Sequence, residues 1–212
     1  MGKIIELSNV NKSFNKKVIL NNINLSISSG EIVGLQGDNA SGKTVLMKLI
    51  CGLYRANSGE IFVNDKKIGK EVDFPQNIGI ATKDFNFPEY LTGLEILENI
   101  SMIKNRITKN DIISTMNLVG LDYKDLTLYK NFSLGMRQRL NLAQAIMENQ
   151  SIILLDEIFN GIDDETYCQF VNILKKLKSE NRTIILTTHV RLDVYNLCDI
   201  IYKINNGSIE NI

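Results

Sequence analysis

Residues 37–44 contain the stretch that decides the fold, Gly37-Asp38-Asn39-Ala40-Ser41-Gly42-Lys43-Thr44. It follows the pattern G-x-x-x-x-G-K-[ST], in which backbone N–H groups surround phosphate groups. An apolar strand is predicted before it at residues 31–35, and a helix is predicted after it over about residues 42–53. The positive end of that helix adds to the attraction for phosphate. The sequence therefore predicts a phosphate-binding loop between a strand and a helix.

The residue types in this loop suit a nucleotide and its metal ion. Gly37 and Gly42 let the backbone turn and approach the phosphates closely, while Lys43 reaches the outer phosphates. The hydroxyl of Thr44 is expected to bind Mg²⁺. The candidate ATP-binding positions here are Gly37, Asp38, Asn39, Ala40, Ser41, Gly42, Lys43, Thr44 and Val45.

Outward from the loop, the hydrophobic pattern changes twice along the chain. Ile23, Leu25 and Ile27 alternate with polar residues, which predicts a half-buried strand near the N-terminus. The middle third has helix-start signals at Thr92 and Thr108 and a further helix over about residues 134–148. The last third alternates strands with helices, which indicates βαβ units and a parallel sheet. The order is therefore strands, entry into a parallel sheet, a helical insert and a return to the sheet.

Two acids follow a second apolar strand, at residues 152–155. Asp156 at the carboxyl end of that strand can approach the loop's Mg²⁺, and Glu157 can orient or deprotonate a water molecule. A pair of acids that caps the next helix is the alternative interpretation. Neither N-K-x-D nor D-x-x-G, the GTPase patterns, occurs in the sequence. An acid directly after the first carboxylate favours ATP hydrolysis over small-molecule phosphoryl transfer.

Composition excludes several other functions. The 212 residues include 24 Lys plus Arg and 24 Asp plus Glu, so there is no basic excess of the kind that binds nucleic acid, and no nucleic-acid partner is expected. The three cysteines, Cys51, Cys168 and Cys198, form no C-x-x-C pair, which suits reduced thiols in a cytosolic protein. No apolar run is long enough to cross a membrane.

Residues 131–140, which contain Ser133 and Gly135, resemble the signature segment of ATP-binding cassette (ABC) proteins. Phe14 precedes the phosphate loop at the spacing of the family's adenine-stacking aromatic residue. Asp163 resembles the aspartate of the D-loop, and His189 resembles the switch histidine. Together these motifs extend over nearly the whole chain, in the family's order.

This resemblance implies an α/β fold: a P-loop NTPase core with a mostly parallel sheet, an N-terminal antiparallel β-subdomain and an inserted helical subdomain at roughly residues 84–148. Residues 1–212 would form a single cassette. Two copies would enclose two ATP molecules, with Ser133, Gly135 and Asp163 contacting the nucleotide of the partner. Glu157 and His189 would be catalytic, and Thr44 and Asp156 would bind Mg²⁺.

The resemblance also implies a separate transmembrane permease, with this chain in the cytoplasm against the inner face of the membrane. The form of the signature favours export. A ribosome- or DNA-acting ABC ATPase and a weakly active regulatory cassette are alternatives. The aromatic residues Phe85, Phe87 and Tyr90 could contact the permease or pack the helical insert onto the core. Neither the transported substrate nor the choice between homodimer and heterodimer is encoded in these motifs.

The sequence departs from the family pattern at one position with chemical consequences. Lys83 stands where the family has the glutamine of the Q-loop. A lysine ammonium has no acceptor and cannot bind Mg²⁺ as an amide oxygen does. Either water takes that metal position or Lys83 contacts phosphate directly. The other departures, Ala40, Met136 and Ile158, leave the motifs recognisable.

Overall fold

Two β-sheets and a set of helices build the chain, of which the computed structural model describes residues 2–82, 85–189 and 192–212. Within those ranges, none of the helices has the length and apolar character needed to cross a bilayer. The strands are β1 (Lys3–Phe14), β2 (Lys17–Ser28), β3 (Ile32–Gln36), β4 (Ser58–Val63), β5 (Lys66–Lys67), β6 (Ile78–Thr82), β7 (Ile152–Asp156), β8 (Thr183–Thr187), β9 (Ile200–Asn205) and β10 (Ser208–Asn211). The α-helices are α1 (Lys43–Ile50), α2 (Gly93–Ser101), α3 (Lys109–Val119), α4 (Leu134–Ile146) and α5 (Asp164–Ser179), with 3₁₀ turns at Tyr129–Asn131 and Leu192–Leu197.

The N-terminal sheet is antiparallel, with strand order β2-β1-β4-β5. Its strands β1 and β2 are much longer than their short apolar segments predict, because both continue through polar residues. Asn9 and Asn22 adopt left-handed backbone angles, φ 51° and 52°, where the register between the two strands shifts. Asparagine tolerates this conformation better than most residues. The hairpin consequently extends far enough to carry Phe14 at the end of β1.

The second sheet confirms the predicted mostly parallel core. Its order is β10-β9-β3-β8-β7-β6, and all neighbours are parallel except β10 and β9. Every residue of β7 and β8 is buried, as expected for strands covered on both faces. The register places Thr187 opposite both Leu35 and Asp156. The carboxyl ends of β3, β7 and β8 therefore meet at one edge of the sheet.

Two hydrophobic clusters cover the two faces of this sheet. On β7, Ile153 and Leu155 pack with the helices α2–α5, while Ile152 and Leu154 pack towards α1 and the antiparallel sheet.

Helix α1 ends at Ile50, earlier than predicted. Gly52 follows with φ 81°, and a Cβ atom there would lie 2.3 Å from the carbonyl oxygen of Asp73. A left-handed turn and a close approach of two backbones therefore mark the end of this helix.

The helices α2, α3 and α4 lie between β6 and β7, where the inserted helical subdomain is predicted. Thr92 and Thr108 each form a reciprocal capping box, with Glu95 and Asp111 respectively, as their spacing predicts. The aromatic residues before α2 differ in their environment, and contact with a permease stays a prediction. Phe87 packs edge-on against Tyr129 at 5.5 Å between ring centroids, whereas Tyr90 is 73% exposed. The assignment of residues 84–148 as a distinct insert within one 1–212 cassette stays a prediction.

Candidate active site

The phosphate loop joins the carboxyl end of β3 to the start of α1. Gly42 has φ 110°, and a Cβ atom there would lie 2.8 Å from the side chain of Leu20, so glycine suits both the turn and the packing. Ala40 has φ 64°, a left-handed conformation that costs a residue with a Cβ atom about 1 kcal/mol. The ammonium of Lys43 donates hydrogen bonds to the carbonyl oxygens of Gly37 and Asp38, at 2.7 and 2.8 Å. The positive charge of Lys43 therefore lies inside the phosphate loop.

A buried hydroxyl in the same loop suits a phosphate ligand. Among the described residues, no hydrogen-bond partner is present for the buried Oγ atom of Ser41. A Cβ atom on Gly37 would lie 2.7 Å from that oxygen, so the glycine leaves the space beside it open. An unsatisfied buried donor is costly, and phosphate oxygens are strong acceptors. The residues present therefore fit a nucleotide phosphate.

The carboxylate of Asp156 connects the loop to two neighbouring strands. Its Oδ2 atom accepts from the hydroxyl of Thr44 at 2.7 Å, and its Oδ1 atom accepts from the hydroxyl of Thr187 at 2.9 Å. Asp156 is buried, and each of its carboxylate oxygens faces a threonine hydroxyl. Mg²⁺ at nucleotide sites is usually bound through one or two protein oxygens together with phosphate and water. Thr44 and Asp156 fit such a metal.

Glu157 follows Asp156 in an unusual conformation that turns it towards His189. Its φ angle is 59°, in the left-handed region, and its backbone N–H donates to the hydroxyl and carbonyl oxygens of Thr187 at 3.0 and 3.2 Å. Its Oε1 atom lies 3.4 Å from the Nδ1 atom of His189. Backbone strain of this kind persists where the surroundings enforce it, often at active sites. The backbone of Glu157 is consequently held by Thr187, with the carboxylate beside His189.

His189 is oriented by an amide rather than by the carboxylate alone. The Nδ2 atom of Asn160 lies 3.2 Å from Nδ1 of the ring, and the hydroxyl of Thr188 donates to Oδ1 of Asn160 at 3.1 Å. In this orientation of the amide, its NH₂ group faces the ring and donates to Nδ1. In the neutral imidazole the proton then resides on Nε2, the outer nitrogen.

Part of the phosphate loop, Glu157 and His189 line one cavity of about 490 Å³. It brings together the phosphate loop, the start of α1 and the two candidate catalytic side chains, although they come from distant parts of the chain. The described residues that line it are Ile19, Asn39, Ala40, Gly42, Lys43, Thr44, Val45, Glu157 and His189. Asp38 lines a neighbouring cavity of about 520 Å³ that also contacts Asn39 and His189.

Phe14 is placed by a small aromatic and cationic cluster. Its ring meets that of Tyr54 edge-on at 5.3 Å, and the ammonium of Lys12 lies 4.6 Å from its centroid. Lys12 is itself held by a hydrogen bond to the carbonyl oxygen of Arg55 at 2.7 Å. Phe14 is still 39% exposed, so one face of the ring is available for stacking.

Ser133, Gly135 and Asp163 do not join this cavity within the described part of its wall. Ser133 caps α4 by accepting from the N–H of Met136 at 3.2 Å, and a Cβ atom on Gly135 would lie 3.9 Å from the Oγ atom of Ser133. Asp163 caps α5, and its hydrogen bond from the N–H of Thr166 lowers the pKa of this exposed carboxyl below its usual value. All three therefore lie at helix starts, apart from the described lining of the chain's own nucleotide cavity.

Two residues of the site were not found from the sequence. Thr187 contacts both Asp156 and Glu157, and its only signal is its place at the end of an apolar strand. Asn160 has no pattern that connects it to His189. Lys83, at the Q-loop position, lies outside the described residues.

Comparison with known sequences gives a consistent result. The sequence profile described as ABC transporter matches residues 20–160. An ABC transporter ATP-binding protein of Bacillus subtilis, YybJ, is 38% identical over 210 residues, which are 98% of this chain and 95% of that protein. The lantibiotic transport ATP-binding protein SrtF of Streptococcus pyogenes is 31% identical, with coverage of 97% of this chain and 89% of SrtF.

Solved structures agree with the sequence relatives. The dimeric structure of MJ0796, a bacterial ABC transporter cassette, matches with a TM-score of 0.88 and 26% identity, over 97% of this chain and 96% of that one. A second dimeric structure of MJ0796, in a post-hydrolysis state bound to ADP and phosphate, matches with a TM-score of 0.87. The chain therefore belongs to the ABC transporter family and is one of its ATP-binding, ATP-hydrolysing cassettes.

Proposed function

We propose that the chain hydrolyses magnesium-bound ATP in the cavity of about 490 Å³, as one half of a homodimer, and drives export through a separate permease. One observation carries this proposal. Lys43, Thr44 and the Glu157–His189 pair line that cavity from separate segments of the chain, and Thr44 is hydrogen-bonded to the buried Asp156.

The binding part of the proposal assigns the phosphates to the loop. The ammonium of Lys43 exchanges its two carbonyl contacts for phosphate oxygens, and the hydroxyl of Ser41 gains an acceptor. Backbone N–H groups at the start of α1 add the field of the helix N-terminus. Thr44 and Asp156 would hold Mg²⁺, which when bound neutralises phosphate charge and orients the leaving group.

The hydrolytic part assigns a proton acceptor and a donor. The carboxylate of Glu157 accepts a proton from the attacking water, and its fixed backbone keeps it pointed into the cavity. The Nε2–H group of His189, left outward by the bond from Asn160 to Nδ1, donates a hydrogen bond to the terminal phosphate.

The dimeric part rests on the helix starts that lie apart from the cavity. Ser133 and Gly135 at the start of α4 present a hydroxyl and free N–H groups, which suit the terminal phosphate bound by a second copy. Gly161, which follows Glu157 in the chain, packs closely against the start of α4. A Cβ atom on Gly161 would lie 2.6 Å from the side chain of Leu134 in that helix. The cassette MJ0796 is a dimer in its solved structure, which supports the same arrangement here.

The transport part rests on the relatives and on an exposed surface. SrtF is described as a lantibiotic transport protein, which supports transport and, together with the signature segment, export. Tyr90, before α2, offers an aromatic anchor to a membrane partner. We place the chain in the cytoplasm, against the inner face of the membrane through that permease.

The test purifies the tagged chain from detergent-solubilised membranes of its own cell and measures phosphate release from ATP. We expect turnover to require Mg²⁺ and to fall to background in EDTA, because Thr44 and Asp156 need the ion to act on the phosphates. We also expect a co-purifying protein with several hydrophobic spans, whose addition to the pure chain changes the turnover rate.

The outcomes separate the proposed function from its alternatives. An absence of Mg²⁺-dependent turnover by the pure chain and by its complex would contradict the hydrolytic assignment and favour a regulatory cassette. Stable association with ribosomes or DNA, in place of a membrane protein, would contradict the transport assignment.

A prediction for the base-binding surface follows from Phe14. Phe14→Ala should raise the KM for ATP about tenfold with little change in kcat, because one stacked base contributes roughly 1–3 kcal/mol. Phe14→Tyr keeps the ring and should retain the wild-type KM. Since stacking demands no particular hydrogen bonds, the KM for GTP should rise by a similar factor. An unchanged KM in the alanine variant would remove Phe14 from the site.

A further inference from the structure

The hydroxyl of Tyr195 joins two chain segments that both lead into the candidate active site. It lies 2.9 Å from the carbonyl oxygen of Leu35 and 3.0 Å from that of Thr188, and it accepts from the N–H of Thr188 at 3.3 Å. Leu35 lies in β3, which leads into Gly37 of the phosphate loop, and Thr188 directly precedes His189. One hydroxyl therefore contacts both the phosphate-loop strand and the turn before the imidazole.

The fold makes specific room for this side chain. Tyr195 is only 6% exposed, and a Cβ atom on Gly34 of β3 would lie 2.5 Å from its ring. Burial raises the pKa of the Tyr195 hydroxyl to about 12, so the group keeps its proton at neutral pH. It can then donate to one carbonyl while it accepts from the N–H of Thr188.

The contacts of Thr188 extend this connection to the imidazole. Its hydroxyl donates to Oδ1 of Asn160, whose Nδ2 atom contacts Nδ1 of His189. The N–H of Thr188 donates to the hydroxyl of Tyr195, and the single proton of that hydroxyl is shared between the carbonyl oxygens of Thr188 and Leu35. A shift of Thr188 would move the hydroxyl that contacts Asn160, and with it the amide that donates to Nδ1 of His189 and so favours a proton on Nε2.

We propose that Tyr195 is a positioning residue for His189, acting through Thr188 and Asn160 and aligning the imidazole with the phosphate-loop strand. Only its kinetic consequence rests on the proposed function of His189. Without the hydroxyl, the buried polar groups of Leu35 and Thr188 lose a shared partner, and the turn before His189 loses one of its contacts with β3. The imidazole then samples both tautomers.

The test uses the fact that His189 is the single histidine of the chain, so its ring signals in an NMR spectrum are unambiguous. In the nucleotide-free protein, Tyr195→Phe should move the two ring ¹⁵N shifts from one defined tautomer towards the average of both. The same variant should lower kcat about tenfold and change the KM for ATP by less than about twofold, as expected for a positioning group.

Tyr202→Phe is the matched control, because it removes a hydroxyl that contacts only Ser26, at 3.4 Å, among the described residues. It should leave the His189 spectrum and kcat unchanged. Thr188→Val removes the hydroxyl that contacts Asn160 and should reproduce the spectral change. This variant keeps the test valid if Tyr195→Phe does not fold.

An unchanged His189 spectrum in folded Tyr195→Phe, or in Thr188→Val if only that variant folds, would overturn the proposal, even if stability or kcat fell. A changed spectrum with unchanged kcat would support the positioning role. A changed spectrum with unchanged kcat would, however, count against His189 as a participant in hydrolysis. Failure of the positioning role and failure of the hydrolytic role of His189 therefore give different results.

Discussion

Glu157→Gln should reduce kcat for ATP hydrolysis by about 10²–10⁴-fold while ATP binding is retained. The amide has nearly the shape of the carboxylate, so the left-handed turn at φ 59° and the two backbone contacts to Thr187 should persist. What is lost is the acceptor for the proton of the attacking water, since a neutral amide is a far weaker base than a carboxylate. Phosphate release under saturating ATP and Mg²⁺ measures this effect.

The same substitution should also change the assembly. ATP that is bound but not cleaved would keep the loop of one copy joined to Ser133 of the other, so ATP should shift the variant from monomer to dimer in size-exclusion chromatography with light scattering. Glu165→Gln is the matched control, because it removes one negative charge from an exposed position on α5. It should hydrolyse ATP at the wild-type rate. Wild-type turnover in Glu157→Gln would contradict the assignment of Glu157 as the proton acceptor.

The order of the elements could be predicted from the sequence because its signals are local. The alternation of apolar strands with helices predicts the parallel sheet, and the structure confirms it. The capping boxes at Thr92 and Thr108 also follow from residues only three apart, and both are formed. The lengths of β1 and β2 could not be predicted, since these strands cross polar residues whose left-handed angles at Asn9 and Asn22 mark irregular register.

The site residues also differ in whether they can be recognised from a local run of sequence or only from contacts in the folded chain. The phosphate loop and the two acids at the end of β7 each form a recognisable run in the chain, so the sequence alone predicts them. Thr187 contacts Asp156 only because the parallel register puts them side by side. Asn160 and Tyr195 reach the turn before His189 through packing between separate segments of the chain. No spacing rule links such residues, so only the three-dimensional structure identifies them.

Lys43→Met should weaken ATP binding about 30–100-fold, a loss of roughly 2–3 kcal/mol, the range of hydrogen bonds made by a charged group. Methionine is unbranched and of similar length, so it can occupy the same buried space without the charge. The ammonium donates to the carbonyl oxygens of Gly37 and Asp38, which shows that it reaches the inside of the loop. Equilibrium binding of a fluorescent ATP analogue, measured without turnover, gives the affinity directly.

Two further variants separate charge from geometry at this position. Lys48→Met removes a positive charge from the same helix, outside the cavity lining, and should bind the analogue as the wild type does. Lys43→Arg keeps the charge but replaces a compact ammonium with a planar group that cannot bond the same two carbonyls in the same space. If the loop requires that compact group, Lys43→Arg should bind nearly as weakly as Lys43→Met. Wild-type affinity in Lys43→Met would show that the backbone N–H groups and the helix N-terminus hold the phosphates alone, and would remove Lys43 from the binding site.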